Sequence, residues 1–193
     1  MLVAGSLLLF LLGACYLLMV GGMRYFQQGR AYQTVQNQSL IAMRNLLAEL
    51  QDSRPNCWSY NALPVPHLIF LSAAQPMPND GPVQHSPLGV INWQKWVCYR
   101  LQPTGELERQ ELAPPVAPGL PNVMPPAVIP LYASFNFAGP NLRIIARNIT
   151  RFRVQADVSP DTLRIEIRAT EATGTNKVTE MELISRAYLQ NRF

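Results

Sequence analysis

No charged side chain occurs before Arg24, and the helical pattern that starts in this apolar run continues without a proline until Pro55. A helix over residues 1–23 rises roughly 34 Å, enough to cross a hydrocarbon core of ~30 Å. Gly5, Gly13, Gly21 and Gly22 weaken a helix in water but are common in membrane helices, where they let neighbouring backbones approach. A cleaved secretory signal needs a basic leader segment, a shorter apolar stretch and a small-residue cleavage site, and nothing basic precedes Arg24. Leu12-Gly13-Ala14-Cys15 also reads like a lipoprotein cleavage box. The residues after it, YLLMVGGM, stay apolar where a lipoprotein turns polar, so Cys15 is expected to lie in the membrane as a small apolar residue. Residues 1–23 are thus expected to be a transmembrane segment.

From Arg24 the chemistry turns polar while the period persists. Tyr32, Val35, Ser39, Met43, Leu46 and Leu50 recur at steps of three and four, which predicts an amphipathic continuation of the same helix over residues 24–54, ended by Pro55. Val35, Met43, Leu46 and Leu50 are the residues expected to pack on the domain that follows. A coiled-coil dimer is the alternative use of so narrow a stripe.

Residues 55–193 read as one globular, antiparallel β head domain. His67 to Ala73 and Val90 to Leu101 have strand character, and Glu106 to Leu112 follows across Pro103-Thr104-Gly105 as the second arm of a hairpin. Seven prolines between Ala113 and Pro130 predict a stiff extended loop. Beyond it, Phe152, Val154 and Ala156 alternate with Arg151, Arg153 and Gln155, and Leu163, Ile165 and Ile167 with Arg164, Glu166 and Arg168. With turns at Ser159-Pro160-Asp161 and Ala172 to Asn176, and a third strand burying Met181, Leu183, Ala187 and Leu189, this is a meander with one dry and one wet face. On the wet face Arg164 and Arg168 are expected opposite Glu180 or Glu182. The class is α+β.

The net charge of +4, from 16 basic and 12 acidic side chains, is scattered, so DNA is a weakly supported partner. Cys57 and Cys98 have no metal-type spacing and no histidine cluster beside them. A disulfide between them is the favoured expectation, two free buried thiols the alternative, and a bridge would imply an oxidising compartment. His67 follows Pro66 and His85 lies in the Pro78 to Pro87 loop, and they are read as strand-edge and loop residues. Trp93 and Trp96 fall on opposite faces of one strand, which puts at least one in a position to contact another subunit or a ligand, with core packing the alternative. Asn148-Ile149-Thr150 matches a glycosylation triplet inside a structural segment. The sequence offers no nucleophile with a base, no paired catalytic carboxylates and no phosphate loop, so neither an enzyme nor a cofactor is expected.

A long N-terminal helix followed by an antiparallel sheet with a Pro-rich loop resembles the type IV pilin architecture. The start, Met1-Leu2-Val3-Ala4, is similar to the stretch that follows the Gly and Phe-Thr-Leu-(Ile/Val)-Glu box of prepilins. The likeness narrows to minor pilins of the PilW type and J-type pseudopilins of type II secretion. It rests on Ile69-Phe70-Leu71-Ser72-Ala73, on Trp93-Gln94-Lys95-Trp96-Val97-Cys98-Tyr99-Arg100-Leu101 with Gly105-Glu106-Leu107-Glu108-Arg109, on Ile145 to Phe152, and on a degenerate Leu189-Gln190-Asn191-Arg192. The resemblance implies that Met1 is an internal methionine of a longer precursor whose cleavage and methylation box lies upstream. It implies a non-enzymatic subunit that helps initiate or cap a pilus or pseudopilus, with other pilins as helix partners and lipid as the partner before assembly. It places the chain as a single-pass inner-membrane protein with a periplasmic or extracellular head. Arg24 and Arg30 alone would put the head in the cytoplasm by the positive-inside rule, an orientation that a basic leader would reverse. A DNA-binding minor pilin of a competence machine and an unrelated singly anchored periplasmic protein are the other expectations.

Overall fold

The computed structural model describes residues 2–73, 91, 93–113, 128–139, 141–157, 162–173 and 177–189. Most of the Pro-rich segment after Ala113, the Ser159-Pro160-Asp161 turn, residues 174–176, His85 and residues 190–192 lie outside them.

One helix, α1 (Leu2–Gln51), runs unbroken for 50 residues, about 75 Å at 1.5 Å per residue. It ends three residues sooner than the proline rule implies. The Ser53 hydroxyl donates to the Leu50 carbonyl at 2.7 Å, satisfying one of the acceptors that a helix end leaves free. Pro55 then falls inside a strand, β1 (Ser53–Asn61). That strand is an edge of its sheet and its register slips between Ser53 and Trp58, a position that tolerates a residue without an N–H.

The remaining strands are β2 (His67–Ser72), β3 (Lys95–Leu101), β4 (Leu107–Leu112), β5 (Arg143–Ala146), β6 (Ile149–Ala156), β7 (Thr162–Ala172) and β8 (Val178–Tyr188). They form two antiparallel sheets, β1-β2-β3-β4-β5 and β6-β7-β8, rather than the one sheet expected. Asn148 causes the break: it sits at φ 61° between β5 and β6, and a left-handed residue turns the chain out of one sheet and into the next. The predicted β3–β4 hairpin turns at Gly105, whose φ of 85° few residues other than glycine adopt. Gly105 also accepts from the Ile149 N–H at 2.9 Å, so the hairpin tip joins the two sheets.

The main core lies between these sheets and α1. Val35, Ala42, Met43, Leu46 and Leu50 from the helix meet Leu68, Phe70, Val97, Tyr99 and Leu107 from the first sheet. Phe152, Val154, Leu163, Ile165, Ile167 and Ala187 come from the second, the alternating dry face of the meander. The other face of the first sheet is also buried, because Phe135, Tyr132 and Phe137 fold back over Ile69, Leu71, Trp96 and Cys98. Arg100 fastens that cover: its guanidinium lies 3.6 Å from the Phe137 ring centroid and donates to Tyr132 Oη at 3.0 Å and Glu108 Oε2 at 2.6 Å.

On the wet face Arg168 pairs with both Glu180 and Glu182, at 3.1 and 3.4 Å. Arg164 instead stands opposite Arg186, an unfavourable cross-strand pair. Arg164→Ala is therefore expected to change the unfolding free energy by less than about 1 kcal/mol. Leu46→Ala, which empties a fully buried site, is expected to cost ~2–5 kcal/mol. Denaturant titration of the two variants checks the contrast.

Candidate functional site

Among the described residues, none covers the first half of α1. Leu9, Phe10, Leu17 and Leu18 are each at least 70% exposed, and Gly5, Gly13, Gly21 and Gly22 have open space where a side chain would project. A contiguous apolar surface of this length in water would drive association. The helix is long and apolar enough to cross a membrane by length and composition, and no residue of its most apolar window is buried. The small residues leave flat places on it where another helix can approach closely.

The second half is seated. Ala31, Val35, Ser39, Ala42, Met43, Leu46 and Leu50 are buried, a stripe at helical spacing that begins at Ala31 rather than at Tyr32, which remains half exposed. Ser39 satisfies its hydroxyl within the helix, donating to the Val35 carbonyl at 2.8 Å. Gln38 accepts from the Arg147 N–H at 2.8 Å and so ties the helix to the loop between β5 and β6.

At the far end of the seat an ionic cluster fixes the helix to the first sheet. Arg109 donates through Nε to Glu49 Oε1 and through Nη2 to Glu111 Oε1, both at 2.6 Å, and Lys95 Nζ reaches the same Glu111 oxygen at 2.7 Å. Val97 pairs with Glu111 and Tyr99 with Arg109 across β3 and β4, so all of these side chains project to the helix side among apolar neighbours. Burial pushes the Glu49 carboxyl above the usual carboxylate range, against the pull of Arg109 and Lys95. Burial also works against the charge on Arg109, yet Glu49, Tyr99 and Glu111 hold it more firmly protonated than a free guanidinium. The Tyr99 phenol is pushed well up by burial, with the Glu49 charge adding to it. Sequence reasoning missed this cluster. The signal was parity, since Arg109 and Glu111 share a face of β4 with the inward Leu107.

Two sequence-based expectations are corrected. Cys57 and Cys98 are both free thiols. Cys57 is on β1 and Cys98 on β3, with β2 between them. Two strand spacings of ~4.8 Å already exceed the ~7 Å limit between bridged Cα atoms. Burial pushes the Cys98 thiol up to about 12 and the Cys57 thiol up less far, opposed by Arg54, so neither is poised for thiolate chemistry. Cys57→Ser is expected to leave the melting temperature within a few degrees of the parent, without sensitivity to reductant. Trp93 and Trp96 are not surface contacts: they are 8% and 1% exposed and share one core cluster. Parity failed because β3 begins at Lys95, which leaves Trp93 outside the strand and free to turn to the side Trp96 occupies.

His67 is buried at the start of β2, its Nδ1 2.8 Å from the Val65 carbonyl and its ring 4.4 Å from that of Tyr132. Among the described residues no three His, Cys, Asp or Glu side chains gather to hold a metal. No family model matches the chain, and neither the curated proteins nor the solved structures contain a significant match to it.

Proposed function

We propose that the chain is a minor pilin or pseudopilin: a non-enzymatic subunit held in the inner membrane by the first half of α1, with its head outside the cytoplasm, that helps initiate or cap a thin fibre. The observation that carries this reading is one continuous helix with two environments, bare and apolar over its first half and seated on a β head over its second. In such a subunit, moving from bilayer to fibre exchanges lipid contacts for helix contacts while the head chooses its neighbours.

A DNA-binding subunit draws less support. The wet face of the second sheet carries Arg151, Arg153, Arg164, Arg168 and Arg186, but Glu166, Glu180, Glu182 and Asp157 pair with three of these. That leaves five cations against four anions, little excess for a phosphate backbone. The test is genetic: in a strain lacking this chain, piliation or secretion is expected to be lost, to return with the full chain, and not to return with one lacking residues 2–23. Full function from the truncated chain would defeat the reading.

A further inference from the structure

The head descends along α1 to the level at which the helix would leave the bilayer. Thr173, Lys177, Val178 and Thr179, from the end of β7 and the start of β8, line a cavity of about 740 Å³ with Tyr25, Gln28, Gly29 and Tyr32 of the helix. Those helix positions are 2–9 residues past Met23, the last residue of the uncharged run, or roughly 3–14 Å beyond the hydrocarbon edge at 1.5 Å per residue. The headgroup layer of each leaflet is about 5–8 Å thick. The lower part of the notch is therefore at headgroup depth.

Its chemistry suits that place. Tyr25 and Phe26 are 78% and 73% exposed, aromatic side chains of the kind that gather at membrane interfaces. Lys177 is exposed on the head side of the notch. Arg24 is exposed and four residues before Gln28, so it shares that helix face just below the opening. Neither cation has an ion-pair partner among the described residues. Of the two carboxylates that flank Lys177 in sequence, Glu171 lines a separate cavity with Arg30 and accepts from the Asn148 amide. Glu180 is taken by Arg168.

We infer that this notch is a binding site for an anionic phospholipid, whose phosphate lies between Lys177 of the head and Arg24 of the helix and whose glycerol and upper chains lie along Tyr25. The occupant is lipid rather than a soluble phosphate because the notch is continuous with the bare apolar helix. Lipid held there fixes the height and tilt of the head on the bilayer before assembly. The inference rests on the membrane reading above.

The test uses the full chain reconstituted in phosphatidylcholine vesicles containing a minor fraction of phosphatidylglycerol. Flotation reports insertion, and spin-labelled phosphatidylglycerol and phosphatidylcholine report lipid selectivity. The chain is expected to float with these vesicles and to prefer phosphatidylglycerol. Lys177→Gln should weaken that preference several-fold, since one surface cation is worth about a fivefold change, while Lys177→Arg keeps it. Failure to float would overturn the membrane reading itself. Flotation with a preference that Lys177→Gln leaves unchanged, which would trace to Arg24 and the helix alone, overturns the lipid site and nothing else. Displacement of the labelled lipid by glycerol phosphate in the aqueous phase, at constant ionic strength, would likewise overturn it in favour of a soluble phosphate.

Discussion

Leu9→Arg is expected to abolish incorporation of the chain into fibres while leaving the head folded. Leu9 is 70% exposed in the uncharged half of α1, so in the membrane reading its neighbours are lipid tails or other apolar helices. An arginine at the centre of a membrane helix costs ~2.5–3.5 kcal/mol on insertion scales, and its charge would be unpaired among packed apolar helices. The core that holds the head together begins only at Ala31, more than twenty residues further on. Fibre counts by electron microscopy should fall to background, and circular dichroism of the detergent-solubilised variant should keep the parent's β signal and melting transition. Normal fibre counts would mean that this surface is not an assembly element.

The second large effect lies at the other end of the helix. Arg109→Met is expected to lower the unfolding free energy by ~3–5 kcal/mol at neutral pH, because it removes the cation shared by the buried Glu111 and the partly buried Glu49. Glu111 retains Lys95. Glu49 loses its closest partner, so its carboxyl, already pushed up by burial, rises further. A carboxyl with a raised pKa in the folded chain makes that chain the stronger proton binder. Stability then falls as pH climbs from the ordinary carboxylate value to the raised one. The deficit of Arg109→Met should therefore shrink toward acid pH, and adding Glu49→Met should recover part of it at neutral pH. Urea titrations at several pH values check both statements. A deficit that does not vary with pH would show that lost packing, not the stranded carboxylate, is what Arg109 prevents.

Much of this architecture is legible from periodicity. Leu163, Ile165 and Ile167 alternate cleanly because one face of the meander is dry and the other wet, and β6, β7 and β8 follow from that alternation. The helical stripe is legible for the same reason, although Ala31 takes the place expected of Tyr32. At that level the head's edge is near, a small residue lets it approach the helix, and the larger ring is left half exposed. What periodicity cannot carry is the environment of a strand buried on both sides. The whole of β2 is buried and β4 buries Glu108, Arg109, Gln110 and Glu111, so its polar residues look wet in the sequence while they are partnered inside. The two missed strands have local causes: β1 contains a proline, and β5 is only four residues long. The cysteines misled because pairing was argued from number, and strand order decides distance.

The central claim is that the bare half of α1 goes into a fibre with the head attached, and the most direct measurement is mass spectrometry of fibres sheared from the cell surface. The account predicts that peptides from residues 5–23 are recovered in the fibre fraction together with head peptides such as those of β7 and β8, in equal amounts. Recovery of the chain from the membrane fraction alone, with none in the fibres, would contradict it and leave a singly anchored protein with no part in a pilus.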